Sequence, residues 1–144
     1  MESVNHEGHE DHEEKQDADL CDCPDSVVRK VLDAAIEVHR NLGPGLLESV
    51  YELALFYELS DKGIAVERQF AVPVFYRGRN LGAGFRADML VEGKLLLELK
   101  SVDLLSPLHV AQTITYLRLL RLKRGLLLNS NARLLKDGIK RVSI

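Results

Sequence analysis

The chain has 144 residues, of which 46% are hydrophobic and 28% are charged, values typical of one soluble domain with its own core. No apolar run approaches the roughly 18 to 20 residues that a membrane span needs, and the acidic start lacks the pattern of a signal peptide. The two cysteines, Cys21 and Cys23, lie one residue apart and provide no disulfide framework. A cytoplasmic location is therefore expected.

Charge is divided unevenly along the chain. Residues 1–25 contain ten acidic residues and one lysine, a net charge of −9, whereas residues 26–144 contain 18 basic and 12 acidic residues, a net charge of +6. We therefore predict a disordered acidic tail over 1–25 and one domain over 26–144. Two other interpretations of the tail stay open: it covers the basic face of its own domain, or it holds a metal ion. The soft ligands it offers are His6, His9, His12, Cys21 and Cys23.

Hydrophobic spacing predicts two helices at the start of the domain. The first runs from about residue 27 to 40, with Ser26 or Asp25 as its cap. The second runs from about 46 to 61, after a Gly- and Pro-containing turn at 41–45. Glu48 lies in the first turn of this second helix, where a carboxylate favours the positive end of the helix dipole.

Three strands are predicted next, over 64–76, 81–91 and 94–102, and Pro73 indicates an edge or a bulge in the first. Residues 77–80 form the intervening turn, and Gly82 and Gly84 are also interpreted as turn glycines. A helix over 107–122 with Ser106 as its cap, a buried strand over 124–129 and an edge strand over 139–144 complete the chain. The order predicts an α/β fold with a central mixed sheet flanked by helices.

The hairpin formed by the second and third strands brings charged side chains into an apolar region. Side chains alternate along a strand, so Glu98 and Lys100 share a face, and a three-residue loop centred on Gly93 places Asp88 directly opposite Glu98. Charged groups in such a place need a partner. One interpretation is a Mg²⁺ or Mn²⁺ site for phosphodiester hydrolysis, with the carbonyl of Leu99 as a further ligand. The other is structural, with Lys100 neutralising one of the two acids.

Several of these residues together resemble the PD-(D/E)XK nuclease superfamily. They are Asp88, the Glu-Leu-Lys triplet at 98–100, Glu48 on a preceding helix, and Gln112-x3-Tyr116 on the following one. The element order resembles the restriction-endonuclease-like α-β-β-β-α-β core, and the Gln-x3-Tyr spacing is similar to that of the RecB-like branch. Residues 45–51 match the Gly-x2-Glu-x2-Tyr signature of the GxxExxY family. The resemblance covers residues 26–144, with Ala87 where the superfamily name has proline.

The resemblance implies a metal-dependent nuclease, with DNA as the expected substrate and RNA left open as the alternative. Asp88 and Glu98 would bind Mg²⁺ or Mn²⁺, Lys100 would be the catalytic lysine, and Glu48 would be a further acid near the metal. Such an enzyme would have nucleic acid as its partner and no membrane.

The resemblance also implies that Gln112 and Tyr116 contact the nucleic-acid backbone or orient the site. Further candidates for phosphate contacts are Arg86, Arg118, Arg121, Lys123 and Arg124. Two rival functions stay open. One is a binding module that keeps the fold without cleaving, and the other is an assembly subunit, such as a homo-oligomer, that uses the apolar helix 46–60 or the C-terminal edge strand.

Overall fold

A computed structural model describes residues 20–144 of the chain. The predicted disorder of the tail and the proposed ligands His6, His9 and His12 lie outside these residues. The described chain forms three α-helices: α1 (Asp25–Leu42), α2 (Glu48–Asp61) and α3 (Pro107–Leu120). Its strands are β1 (Val66–Tyr76), β2 (Arg79–Val91), β3 (Leu95–Lys100), β4 (Arg124–Asn129) and β5 (Ile139–Ser143), with a short 3-10 helix at Leu135–Gly138.

The strands form one sheet in the order β1-β2-β3-β4-β5. Neighbours are antiparallel except for β3 and β4, which are parallel and are connected by the crossover helix α3. A parallel pair needs such a crossover because its strands start at the same end of the sheet. The prediction of an α/β fold with a mixed sheet and flanking helices is confirmed.

The two faces of the sheet are covered by different helices. Leu97 and Leu99 of β3 belong to the core cluster formed with α1 and α2. Leu96, on the opposite face, belongs to the cluster formed with α3. By the alternation of a strand, Glu98 lies on the same face as Leu96, so its carboxylate is directed to the α3 side of the sheet.

The predicted register of the β2–β3 hairpin is confirmed. Met89 pairs with Leu97, and Val91 pairs with Leu95. The loop between them includes Glu92 and Gly93, both with left-handed φ angles of 55° and 64°. These left-handed residues allow the tight reversal that sets the register.

Some local predictions are wrong. Helix α1 has Pro24 rather than Ser26 or Asp25 as its N-cap, because the Pro24 carbonyl already accepts the first helical hydrogen bonds. Gly82 and Gly84 lie inside β2 rather than in a turn. The predicted irregularity at Pro73 is confirmed, since the register between β1 and β2 shifts on both sides of it.

The segment just before α1, assigned to the tail by its sequence, packs against the domain. Cys23 is buried in the core cluster of α1 and α2, and Cys21 forms a parallel bridge with Leu122. Within residues 20–144, no helix is both long enough and apolar enough to cross a membrane.

Candidate active site

The centre of the site lies where β2 and β3 stop pairing through their backbones. Beyond the Met89–Leu97 pair, the backbone N–H of Asp88 donates to Oε2 of Glu98 at 2.8 Å. The backbone N–H of Leu99 donates to Oδ2 of Asp88 at 2.7 Å. The two carboxylates thus replace backbone acceptors at the point where the strands separate, and they face each other across the hairpin.

Burial raises the pKa of both acids. Glu98 is only 4% exposed, and burial together with the neighbouring charge of Asp88 raises its pKa to about 8. Burial also raises the pKa of Asp88, although the Leu99 N–H works in the opposite direction. The Lys100 ammonium lowers the pKa of both acids by its charge, yet the described chain contains no ion pair between it and either acid. Direct neutralisation by Lys100 is therefore not what holds the two carboxylates.

The geometry of the two carboxylates fits a hard divalent cation. Each carboxylate accepts a backbone N–H through one oxygen only, and over residues 20–144 no donor reaches Oδ1 of Asp88 or Oε1 of Glu98. Two such oxygens can hold Mg²⁺ or Mn²⁺, which take few protein ligands and keep several waters. Among residues 20–144 no three or more His, Cys, Asp or Glu side chains are grouped as a metal site, so Glu48 does not join Asp88 and Glu98 in a three-acid cluster.

Glu48 connects the first turn of α2 to the chain that leaves β3. Its Oε2 accepts the backbone N–H of Ser101 at 3.1 Å, and the Ser101 hydroxyl donates to the Leu46 carbonyl at 3.4 Å. The side chain is exposed, and its negative charge raises the pKa of both Asp88 and Glu98. Glu48 therefore acts on the acid pair through its charge, and its hydrogen bond to Ser101 anchors the backbone that follows Lys100.

The end of β3 is held by polar residues at the end of β4 that the sequence analysis missed. The Lys100 carbonyl accepts the backbone N–H of Ser130 at 2.8 Å and its hydroxyl at 3.2 Å. Asn129 accepts the Val102 N–H at 3.1 Å and donates to the Val102 carbonyl at 2.8 Å. These two hydrogen bonds, here named the Asn129–Val102 clamp, fix the backbone that follows Lys100. The available signal was an Asn-Ser pair directly after an apolar strand, because the carboxyl ends of parallel strands lie side by side.

Glu52 is a further acid near the site, to which the sequence analysis assigned no role. It lies one helical turn after Glu48 and is almost fully buried. Its carboxylate forms an ion pair with Arg68 at 3.1 Å and accepts a hydrogen bond from Gln69 at 2.6 Å. Its charge raises the pKa of Asp88. The i, i+4 spacing from Glu48 was the signal that could have identified it.

Tyr51, the last residue of the Gly-x2-Glu-x2-Tyr signature, has a structural role. Its hydroxyl donates to the Gly43 carbonyl and lies 2.9 Å from Nδ1 of His39. The Nε2 atom of His39 lies 2.8 Å from the Ala132 carbonyl, so the ring must donate there. Through this network Tyr51 connects the turn before α2 to the loop after β4, and its burial raises the pKa of its hydroxyl.

Helix α3 forms another wall of the site. Tyr116 is buried, and its ring lies 5.2 Å from that of Phe85 on β2. Burial raises the Tyr116 pKa, and the charges of Glu98 and Asp88 raise it further, so its hydroxyl lies within the field of the two acids. Gln112, one turn earlier, is exposed.

The predicted basic contacts fall into two groups. Arg86 and Arg118 are exposed, and Nη1 of Arg86 donates to the Gln69 carbonyl at 3.1 Å. Arg124 instead pairs with Asp22 at 2.9 Å and Asp25 at 2.5 Å. The backbones of its neighbours Arg121 and Lys123 hydrogen-bond to Cys21. This second group therefore binds the segment that precedes α1.

Comparison with known proteins gives one result. The family model described as the PD-(D/E)XK nuclease superfamily matches residues 25–142. No curated protein and no solved structure matches the chain significantly.

Proposed function

Because the chain belongs to the PD-(D/E)XK nuclease superfamily, we propose that it is a Mg²⁺- or Mn²⁺-dependent nuclease that hydrolyses phosphodiester bonds in DNA. The observation that carries the proposal is the pair of carboxylates, Asp88 and Glu98. Glu98 is buried and Asp88 is half-buried opposite it, neither is ion-paired within residues 20–144, and each retains one oxygen without a hydrogen-bond donor there. Such a pair costs folding free energy, and a bound cation would offset that cost.

In this proposal Asp88, Glu98 and the carbonyl of Leu99 hold the metal, and Glu48 supplies a further negative charge beside it. When bound, the ion supplies Lewis-acid stabilisation of the phosphate and a lower pKa for an attacking water. Hydrogen bonds from the backbone N–H groups of Asp88 and Leu99 would hold the two carboxylates in position to bind the ion.

Lys100 completes the catalytic group. Its ammonium affects both acids electrostatically without pairing with them in the described chain, so its protons remain available to a water or to the phosphate. We propose that Lys100 orients the attacking water and stabilises negative charge that develops on the phosphate. The carbonyl of Lys100 is fixed by Ser130, which limits the positions its side chain can reach.

The remaining finer assignments are also part of the proposal. Gln112 and Tyr116 act as a RecB-like pair that orients the nucleic acid, with Arg86 and Arg118 contacting phosphates. The chain is a GxxExxY-type member of the superfamily, acts in the cytoplasm and takes DNA rather than RNA. The proposed acidic tail precedes Cys21, because Cys23 is buried in the core and Asp25 begins α1, and homo-oligomerisation is compatible with the exposed apolar residues of α2.

The test is cleavage of single-stranded DNA, duplex DNA and RNA, with Mg²⁺, with Mn²⁺ and with chelator. Wild type is compared with Asp88→Asn and Lys100→Met, and Lys94→Met is the matched control because Lys94 is an exposed lysine in the β2–β3 loop. We expect metal-dependent cleavage by wild type and the control, and its loss in the two site variants. Salt-sensitive DNA binding without cleavage by wild type would instead favour the non-cleaving module.

A further inference from the structure

Strands β1 and β2 continue far beyond the rest of the sheet. They pair from Val66–Val91 out to Tyr76–Arg79, whereas β2 pairs with β3 only from Met89 onward. Within the described chain, residues 70–87 therefore form a two-stranded ribbon, here named the arm. Its base packs on α3 through Val72 and Phe85, and its far end is a two-residue turn at Arg77 and Gly78, both left-handed.

The composition of the arm is unusual for an exposed hairpin. It contains three arginines and no acidic residue, a net charge of +3. Three large apolar residues near its end are mostly in solvent: Phe75 is 60% exposed, Tyr76 58% and Leu81 63%. Exposed apolar groups beside cations that form no ion pair within residues 20–144 indicate an interaction surface rather than a solvated turn.

The arm is continuous with the candidate active site. Asp88 directly follows Ala87, the last residue of the arm on β2. The Phe85 ring lies 5.2 Å from the ring of Tyr116, and the charges of Glu98 and Asp88 raise the pKa of the Tyr116 hydroxyl. From Arg79 to Asp88 a strand spans at most about 30 Å. A nucleic-acid strand lying along this length would be directed to the acid pair.

We propose that the arm binds a stretch of nucleic acid with unpaired bases and delivers it to the active site. Unpaired bases stack on exposed aromatic rings, while bases in a duplex are already stacked on each other. Phe75 and Tyr76 are the stacking residues, and Arg77, Arg79 and Arg86 contact the phosphates between the bases. The inference rests on the proposed nuclease function and adds to it a substrate class, single-stranded DNA or a single-stranded end.

The positive charge of the arm favours nucleic acid over an apolar partner. Arg77 lies over the Tyr76 ring at 5.3 Å, and Arg79 is the cross-strand partner of Tyr76. The exposed Tyr76 ring is thus accompanied by two guanidinium groups that match a phosphate backbone. A purely apolar partner would leave these cations without a counter-charge.

The experiment measures binding without cleavage. Full-length protein in chelator is titrated into fluorescently labelled single-stranded DNA and into a blunt duplex of equal length, and anisotropy gives both Kd values. The stacking variants are Phe75→Ala, Tyr76→Ala and Phe75→Leu, the last keeping apolar bulk while losing the flat ring. Tyr57→Ala is the matched control, since Tyr57 is 57% exposed but lies on α2. Thermal unfolding of each variant verifies that the fold is retained.

We expect wild type to prefer the single strand. Each alanine variant should weaken single-strand binding by about 5- to 100-fold, the range seen when a stacking ring is removed, and Phe75→Leu should lose most of the same affinity. Duplex binding should change little. Replacing Arg77 and Arg79 by alanine should lower the slope of log Kd against log salt by about 1.4, with Arg29 and Lys30 on α1 replaced as the control.

Two results would overturn the inference: unchanged single-strand affinity in folded arm variants, or an equal loss for single strand and duplex. Because the chelated protein cannot cut, these readouts do not depend on catalysis. If the wild type binds single strands through the arm but cuts nothing, the nuclease proposal is refuted and the proposed binding role of the arm is retained.

Discussion

Replacing Glu98 by glutamine should stabilise the metal-free protein, and the gain should grow with pH. The pKa of this buried carboxyl is about 8 in the folded state, against an ordinary value of 4.5. Between these values the folded protein holds a proton that the unfolded chain releases, so the free energy of unfolding falls as pH rises. At about 1.4 kcal/mol for each pKa unit, the cost by pH 8 is at most about 5 kcal/mol.

The glutamine amide keeps the size of the side chain and an oxygen that can accept the Asp88 N–H, but it carries no charge. Relative to wild type, Glu98→Gln should therefore raise the free energy of unfolding by a few kcal/mol near pH 8 and by less than about 1 kcal/mol near pH 5. Urea unfolding in chelator across this range measures the difference. Glu67→Gln is the control, because Glu67 is an exposed acid on β1.

Metal should narrow this difference in stability between wild type and Glu98→Gln. A cation that binds only the folded wild type adds about 2.7 kcal/mol at one hundred times its Kd, and the gain should increase with pH as the proton on Glu98 is displaced. The variant should gain little from Mg²⁺ or Mn²⁺. If Glu98→Gln destabilises the chelated protein near pH 8, or changes its stability equally at all pH values, Glu98 has a partner in the fold and the reasoning fails.

Three further substitutions test the supports of the site. Asn129→Ala should lower the free energy of unfolding by about 1–3 kcal/mol in urea, because Val102 N–H and C=O lose their buried partner; an unchanged midpoint would contradict the clamp. Tyr51→Phe should lower the thermal midpoint by removing the bond to Gly43, whereas Tyr57→Phe should not. Arg124→Ala should lower the urea midpoint only slightly, and the difference should disappear in high salt, since both of its ion pairs are exposed.

Local rules were sufficient to predict the acid pair. Loop length and the two-residue period of a strand determine which residues face each other, so the positions of Gly93, Asp88 and Glu98 in the sequence already implied the register. The bounds of β4 were predicted correctly as well, because a short apolar run between basic and polar residues has little freedom. The same rules failed at β2, where Gly82 and Gly84 were interpreted as turn residues. Glycine also allows the left-handed backbone, with φ of 92°, that Gly82 adopts inside the bulged arm.

The supports of the site could not be predicted, because they connect residues that are distant in the chain. Asn129 and Val102 are separated by 27 residues, and Glu48 and Ser101 by 53. No spacing rule relates such pairs; they meet only because β3 and β4 are parallel and α2 starts near their ends. Together these contacts hold the backbone that directly follows Lys100. A site that keeps a buried and a half-buried carboxylate together at a cost in stability requires this kind of reinforcement, because repulsion between the acids would otherwise be relieved by separating β2 from β3.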